Sequence, residues 1–67
     1  MIALTINGEE RQIEEEMSIL DLLATRNLHE RMVVVEHNGA IVPRAQYAEA
    51  RLHTGDNLEI VQMMAGG

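Results

Sequence analysis

Ile2-Ala3-Leu4-Thr5-Ile6-Asn7-Gly8 is the stretch whose reading decides how the chain begins to fold. Ile2, Leu4 and Ile6 alternate with Ala3 and Thr5, which is the period of a strand with one buried face. Asn7-Gly8 follows at once, and both residue types accept positive φ, as the preferred two-residue hairpin turn requires. A second strand is expected to run back over about Glu9 to Ile13.

Beyond the hairpin, Met17-Ser18-Ile19-Leu20-Asp21-Leu22 reads as a helix start. Ser18 can cap, Asp21 can return the bond as a capping box, and Met17 is placed to pack on Leu22 as a staple. Ile19, Leu20, Leu22, Leu23 and Ala24 form the apolar side of a helix of about three turns, weakening at Asn27. Met32-Val33-Val34-Val35 is β-branched and apolar on both faces, so a strand in the middle of a sheet is expected. Asn38-Gly39 marks another tight turn, and Ala40-Ile41-Val42 a short strand that Pro43 stops by lacking a backbone donor. Residues 44–52 carry at most a loosely helical pattern. Thr54-Gly55-Asp56 is a turn, and Leu58 to Met63 a final strand.

A hairpin, a crossing helix and a last strand returning beside the first give an α+β fold of the β-grasp, or ubiquitin-like, type. A mixed sheet of four to five strands with one main helix across it is expected. A split βαβ sandwich is the alternative, and the single convincing helix counts against it. Residues 1–63 are expected to form the domain and residues 64–67 a flexible tail.

At 67 residues there is room for one core and no second domain. Such a chain is poorly suited to enclosing a substrate, which favours an interaction module over a free-standing enzyme. The absence of Cys excludes disulfides and a thiol nucleophile. Five basic against eleven acidic residues give a net charge of −6, which argues against nucleic acid or an anionic membrane surface. A basic protein surface and simple solubility are two open readings of that charge. No apolar run approaches the ~20 residues of a membrane helix, and Met1 to Thr5 lacks the pattern of a signal peptide, so the cytoplasm is the expected compartment.

Catalytic motifs are missing: there is no Gly-rich phosphate loop, HExxH, CxxC or GxSxG, and the lone serine, Ser18, reads as a cap. His29, His37 and His53 sit singly beside turns without metal-ligand spacing, and Glu14-Glu15-Glu16 reads as a solvated loop. Neither a metal site nor a catalytic side chain is expected.

The sequence ends in Met64-Ala65-Gly66-Gly67. Frayed glycines are one reading. A carboxylate presented to a partner's active site is the other, since glycines pass a narrow channel and four residues span at most ~13–14 Å. On that reading Gly67 is the group modified, Ala65 and Gly66 thread into the partner, and the last strand helps to hold the folded body. Leu58 and Ile60 fall on one face while Val61 and Met63 fall on the other, so Val61, Met63 and Met64 are candidates for a docking patch. Burial of these residues beneath residues 44–52 is the equal alternative. All five basic residues are Arg, and the missing lysine suits a carrier that must not attack its own activated terminus.

Ser18 to Leu23, Val34-Val35-Glu36-His37-Asn38-Gly39-Ala40-Ile41-Val42-Pro43-Arg44, Thr54-Gly55-Asp56 and Met64-Ala65-Gly66-Gly67, in this order and spacing, resemble the ThiS sulfur carriers of thiamine biosynthesis. The resemblance covers nearly the whole chain. It implies a β-grasp protein, not itself an enzyme, whose Gly67 carboxylate is adenylated by a ThiF-type enzyme that uses ATP. Sulfur from a cysteine desulfurase then gives a thiocarboxylate, and thiazole synthase (ThiG) accepts that sulfur. Arg44 matches the family pattern, with pairing to a partner's acidic group and a local salt bridge both open. Met63-Met64 departs from the pattern as a more flexible approach to the tail. Carriers for molybdopterin or cysteine biosynthesis would share the fold and the terminal chemistry, and a β-grasp interaction domain with an inert tail is the rival of a different class.

Overall fold

The computed structural model describes residues 1–63. Strands β1 (Ile2–Ile6) and β2 (Glu9–Ile13) form the expected antiparallel hairpin. Asn7 and Gly8 have φ of 52° and 81°, as a primed turn requires. Helix α1 (Ile19–Thr25) follows, then a single-turn 3-10 helix (Glu30–Met32), β3 (Val33–His37), β4 (Ala40–Ile41), a second 3-10 turn (Arg44–Gln46) and β5 (Asn57–Gln62). The sheet order is β2-β1-β5-β3-β4. β5 runs parallel to β1 and antiparallel to β3, so the last strand fills the centre of a mixed sheet. This is the β-grasp arrangement.

Ser18 caps α1 through a complete capping box: its Oγ accepts from Asp21 N–H at 3.0 Å, and Asp21 Oδ2 accepts from Ser18 N–H at 3.4 Å. The helix has seven residues, about two turns and not the expected three. Asn27 stops it by taking φ of 58°, with Asn27 N–H bonded to Ala24 and Leu28 N–H to Leu23. That is a Schellman closure with Asn in the usual glycine position. Ala24, expected on the apolar side, is exposed.

Ile19, Leu22 and Leu23 pack on Leu4, Ile6, Val33, Val35, Leu58 and Ile60, and Met17 lies half-buried at the edge of this cluster. Tyr47 and Leu52 complete the core, so residues 44–52 are a structural part of the domain. They are fastened beside α1 by Ile19 N–H to Ala50 O, Leu20 N–H to Tyr47 O and Leu52 N–H to Met17 O. β3 is buried on one face only. Val33 and Val35 meet the core while Val34 is exposed, because helix and loop cover a single side of the sheet. β4 stops before Val42, and β5 runs from Asn57 to Gln62, one residue earlier at both ends than expected. No helix among the described residues is long and apolar enough to cross a membrane.

Candidate functional site

β5 is the rail on which the end of the chain is carried, and its position is fixed from both sides. Asn7 Oδ1 accepts from Ile60 N–H at 2.7 Å and Asn7 Nδ2 donates to Ile60 O at 3.2 Å. From the other hairpin, Asn38 Oδ1 accepts from Asn57 N–H at 2.8 Å. Both Asn-Gly turns thus use the amide that helps form the turn to hold the central strand as well. Sequence reasoning assigned these asparagines to turns alone, since their reach to β5 depends on which strand lies between the hairpins.

Past β5, Met63 N–H donates to Met32 O at 2.7 Å, which ties the last described residue to the turn before β3. Arg44 Nε donates to Glu30 O at 3.2 Å in the same turn. The structure therefore gathers Arg44 and Met63 around one short segment. Arg44 pairs with a backbone carbonyl, and among the described residues it has no carboxylate partner.

Val61 is 59 % exposed and Met63 40 %, on the side of the sheet away from α1. The alternative in which residues 44–52 cover them is excluded, because that segment lies beside the helix on the opposite face. Register places Val61 directly against Val34, which is 37 % exposed. Ile41 on neighbouring β4 is 68 % exposed. Val34 and Ile41 belong to the same open face and escaped sequence reasoning, because pairing register is not readable from a lone strand. Met64, Ala65, Gly66 and Gly67, the remaining residues expected to act, lie outside the described residues.

At the other end of β5 the histidines are less isolated than their spacing suggested. His37 Nε2 donates to Asp56 Oδ2 at 2.8 Å, and the same carboxylate accepts from His53 N–H at 2.8 Å and from Asn38 Nδ2 at 3.2 Å. Burial would raise the Asp56 pKa, but hydrogen bonds from His37, His53 and Asn38 outweigh it and hold the carboxyl below its ordinary value. These contacts join the β3–β4 turn to the turn before β5. His29 Nδ1 instead accepts from Arg31 N–H and caps the first 3-10 turn. Among the described residues no cluster of three or more His, Cys, Asp or Glu is suited to a metal, and no pocket is found. Among the described residues the arrangement offers a braced central strand and an open sheet face.

The ThiS family model matches residues 4–67. The chain is similar to the sulfur carrier protein ThiS of Bacillus subtilis, with 35 % identity over 65 residues covering 96 % of this chain and 98 % of that protein. It is also similar to a thiazole synthase of Paramagnetospirillum magneticum, with 44 % identity over 64 residues, which is 96 % of this chain but spans only 20 % of that protein. Among solved structures, the crystal structure of the thiamine biosynthesis protein ThiS from Geobacter metallireducens superposes with a TM-score of 0.83 at 28 % identity, covering 98 % of this chain and all of that one.

Proposed function

The chain belongs to the ThiS family, and from that premise we propose that it serves thiamine biosynthesis as a protein sulfur carrier whose Gly67 carboxylate is the working group. A carboxylate is inert to sulfur until one oxygen becomes a leaving group. The Gly67 carboxylate attacks the α-phosphorus of ATP in a ThiF-type adenylating enzyme, releasing pyrophosphate and leaving an acyl adenylate. A persulfide supplied by a cysteine desulfurase then displaces AMP to give an acyl disulfide, and a thiol reductant cleaves its S–S bond, so that the terminus becomes a thiocarboxylate and the thiol leaves as a disulfide. Thiazole synthase takes the sulfur from it. This chain is a co-substrate of those enzymes. ATP is bound by the adenylating partner, and Gly66 and Ala65 let the terminus enter that partner's active site.

The observation that carries this reading is the reach of the family match through Gly67, which puts Gly66-Gly67 inside the family pattern. The body of the domain supports it: the strand that leads into the tail is the central one, braced by Asn7 and Asn38. Thiazole synthase as acceptor is supported by a relative of that name containing a segment similar to this whole domain.

Intact-mass measurement after incubation with ATP, a ThiF-type enzyme and a sulfur donor tests the reading. Replacement of one terminal oxygen by sulfur is expected. An unchanged mass with an enzyme competent on another carrier would overturn it. Transfer of the sulfur to molybdopterin synthase in place of thiazole synthase would reassign the pathway.

A further inference from the structure

Asn7-Gly8 and Asn38-Gly39 share a reactivity that their role as turns does not use. An asparagine followed by glycine exposes its amide carbon to the next backbone nitrogen, because glycine has no side chain to hinder the approach. The fold decides whether the two atoms meet. Both asparagines hold positive φ, 52° at Asn7 and 53° at Asn38, and both amides are tied up in hydrogen bonds. Attack therefore waits on local opening that frees the amide to rotate.

The two turns differ in what opening breaks. The Asn7 turn joins strands paired over five positions, from Ile2 opposite Ile13 to Ile6 opposite Glu9. Its amide satisfies both backbone groups of Ile60, which is buried on the central strand, so releasing it leaves an N–H and a carbonyl there without that partner. The Asn38 turn closes a hairpin of only two paired positions, Glu36 opposite Ile41 and His37 opposite Ala40, and its second strand is at the sheet edge. The Asn38 bonds to Asp56 Oδ1 and from Asn57 N–H are both exposed to solvent. Releasing Asn38 also leaves the Asp56 carboxylate with His37 Nε2 and His53 N–H. A short edge ladder with solvated bonds opens at lower free energy than a long one anchored in the core.

We propose that Asn38 is a site of spontaneous deamidation in the folded protein, with water as co-reactant, and that Asn7, in the same dipeptide, is protected by its hold on the central strand. The Gly39 nitrogen gives up its proton and attacks Asn38 Cγ; the Cγ–Nδ2 bond breaks and that nitrogen leaves as ammonia. Water then opens the cyclic imide at either carbonyl, leaving aspartate or isoaspartate at position 38. Nothing is oxidised or reduced. Aspartate puts an acceptor of like charge where Nδ2 now donates to Asp56 Oδ1 at 3.2 Å. Isoaspartate routes the backbone through an extra methylene, which a two-residue turn has little slack to absorb. The modification thus acts on the Asp56 junction, which ties the β3–β4 turn to the entry of β5.

The test is timed incubation of the full chain in mildly alkaline buffer, native and in urea, followed by peptide mass mapping and labelling with an isoaspartyl methyltransferase. In the native chain product is expected at Asn38 at least about tenfold faster than at Asn7, because the rate follows the population of the open turn. In urea, where neither turn exists, the two rates should agree within about twofold. Equal native rates, faster reaction at Asn7, or a native chain inert at both sites while urea yields both products would overturn the inference. Thermal midpoints of Asn38→Asp, Asp56→Asn and the double variant test where the modification acts. Asn38→Asp is expected to lower the midpoint, and the double variant to lose less than the two single losses together, because an amide at position 56 supplies the donor that a carboxylate at position 38 lacks. An unchanged midpoint in Asn38→Asp, or additive losses, would overturn the assignment to the Asp56 junction.

Discussion

The Asn7 side chain stands in for a strand residue against Ile60, accepting from its N–H at 2.7 Å and donating to its carbonyl at 3.2 Å. The strand it holds is the central one, so a turn residue of the first hairpin fixes the middle of the sheet. Asn7 also needs a φ of 52°, which glycine tolerates and alanine does not. Asn7→Gly removes the two bonds and is expected to cost about 1–3 kcal/mol. Asn7→Ala adds left-handed strain of roughly 1–2 kcal/mol. Urea denaturation of both variants separates the contributions, and a glycine variant as stable as the wild type would show that the amide bonds contribute nothing.

Asp56 sets an acid limit on the opposite end of β5. Its carboxyl titrates below the ordinary value because His37, His53 N–H and Asn38 stabilise the ionised form more than burial penalises it. A group depressed on folding adds stability that is present above its unfolded pKa, about 3.9, and is lost as pH falls through the folded value. Asp56→Asn is therefore expected to cost about 2 kcal/mol at neutral pH. The gap should narrow below pH of about 4. Thermal midpoints of the two proteins between neutral and acid pH measure this, and a gap that stays constant with pH would remove Asp56 ionisation as the cause.

Local chemistry was readable in the sequence and juxtaposition was not. Asn7-Gly8, the Ser18–Asp21 box and the alternation of β1 are each contained within a few residues, and they lie where the pattern put them. Tyr47 and Leu52 were missed because residues 44–52 have no period: they descend into the core from a 3-10 turn and a bridge to Ser18. Val33-Val34-Val35 misled for the opposite reason. A continuous apolar run normally signals burial on both faces. Here Val34 faces outward against Val61, so a residue that looked like core belongs to the exposed surface.

Ser18 is buried and joins two parts of the chain, capping α1 through its box with Asp21 and bridging Arg51. Ile19 and Leu20 donate to Ala50 O and Tyr47 O, which leaves the Asp21 N–H as the first-turn donor that the Ser18 hydroxyl satisfies. Ser18→Ala is expected to lower unfolding free energy by about 1 kcal/mol. Ser18→Asp, which keeps a capping oxygen, should lose less if capping is the dominant role. Equal losses in chemical denaturation would assign the effect to the buried contacts around residue 18.

Tail length sets the last expectation, and its asymmetry follows from geometry. Met63 is tied to Met32 O, so only the four residues after it are available to reach the adenylating site, a span of at most ~13–14 Å. Removing Ala65 shortens that reach by roughly 3.3–3.6 Å, and a displacement of about 1 Å at a reacting group already costs on the order of 10²-fold in rate. Inserting one glycine after Met64 lengthens the tether instead, and the effective concentration of a flexible tether falls only as about the −3/2 power of its length. Deletion is therefore expected to lower kcat for adenylation by at least about 10²-fold, and insertion by no more than a few fold. KM for the carrier should stay near the wild-type value in both, because the folded body is unchanged. ATP–pyrophosphate exchange kinetics on the two variants decide the matter: equal losses would mean that the partner reads the tail's sequence and not its reach, and a rise in KM on deletion would mean that the tail itself carries docking.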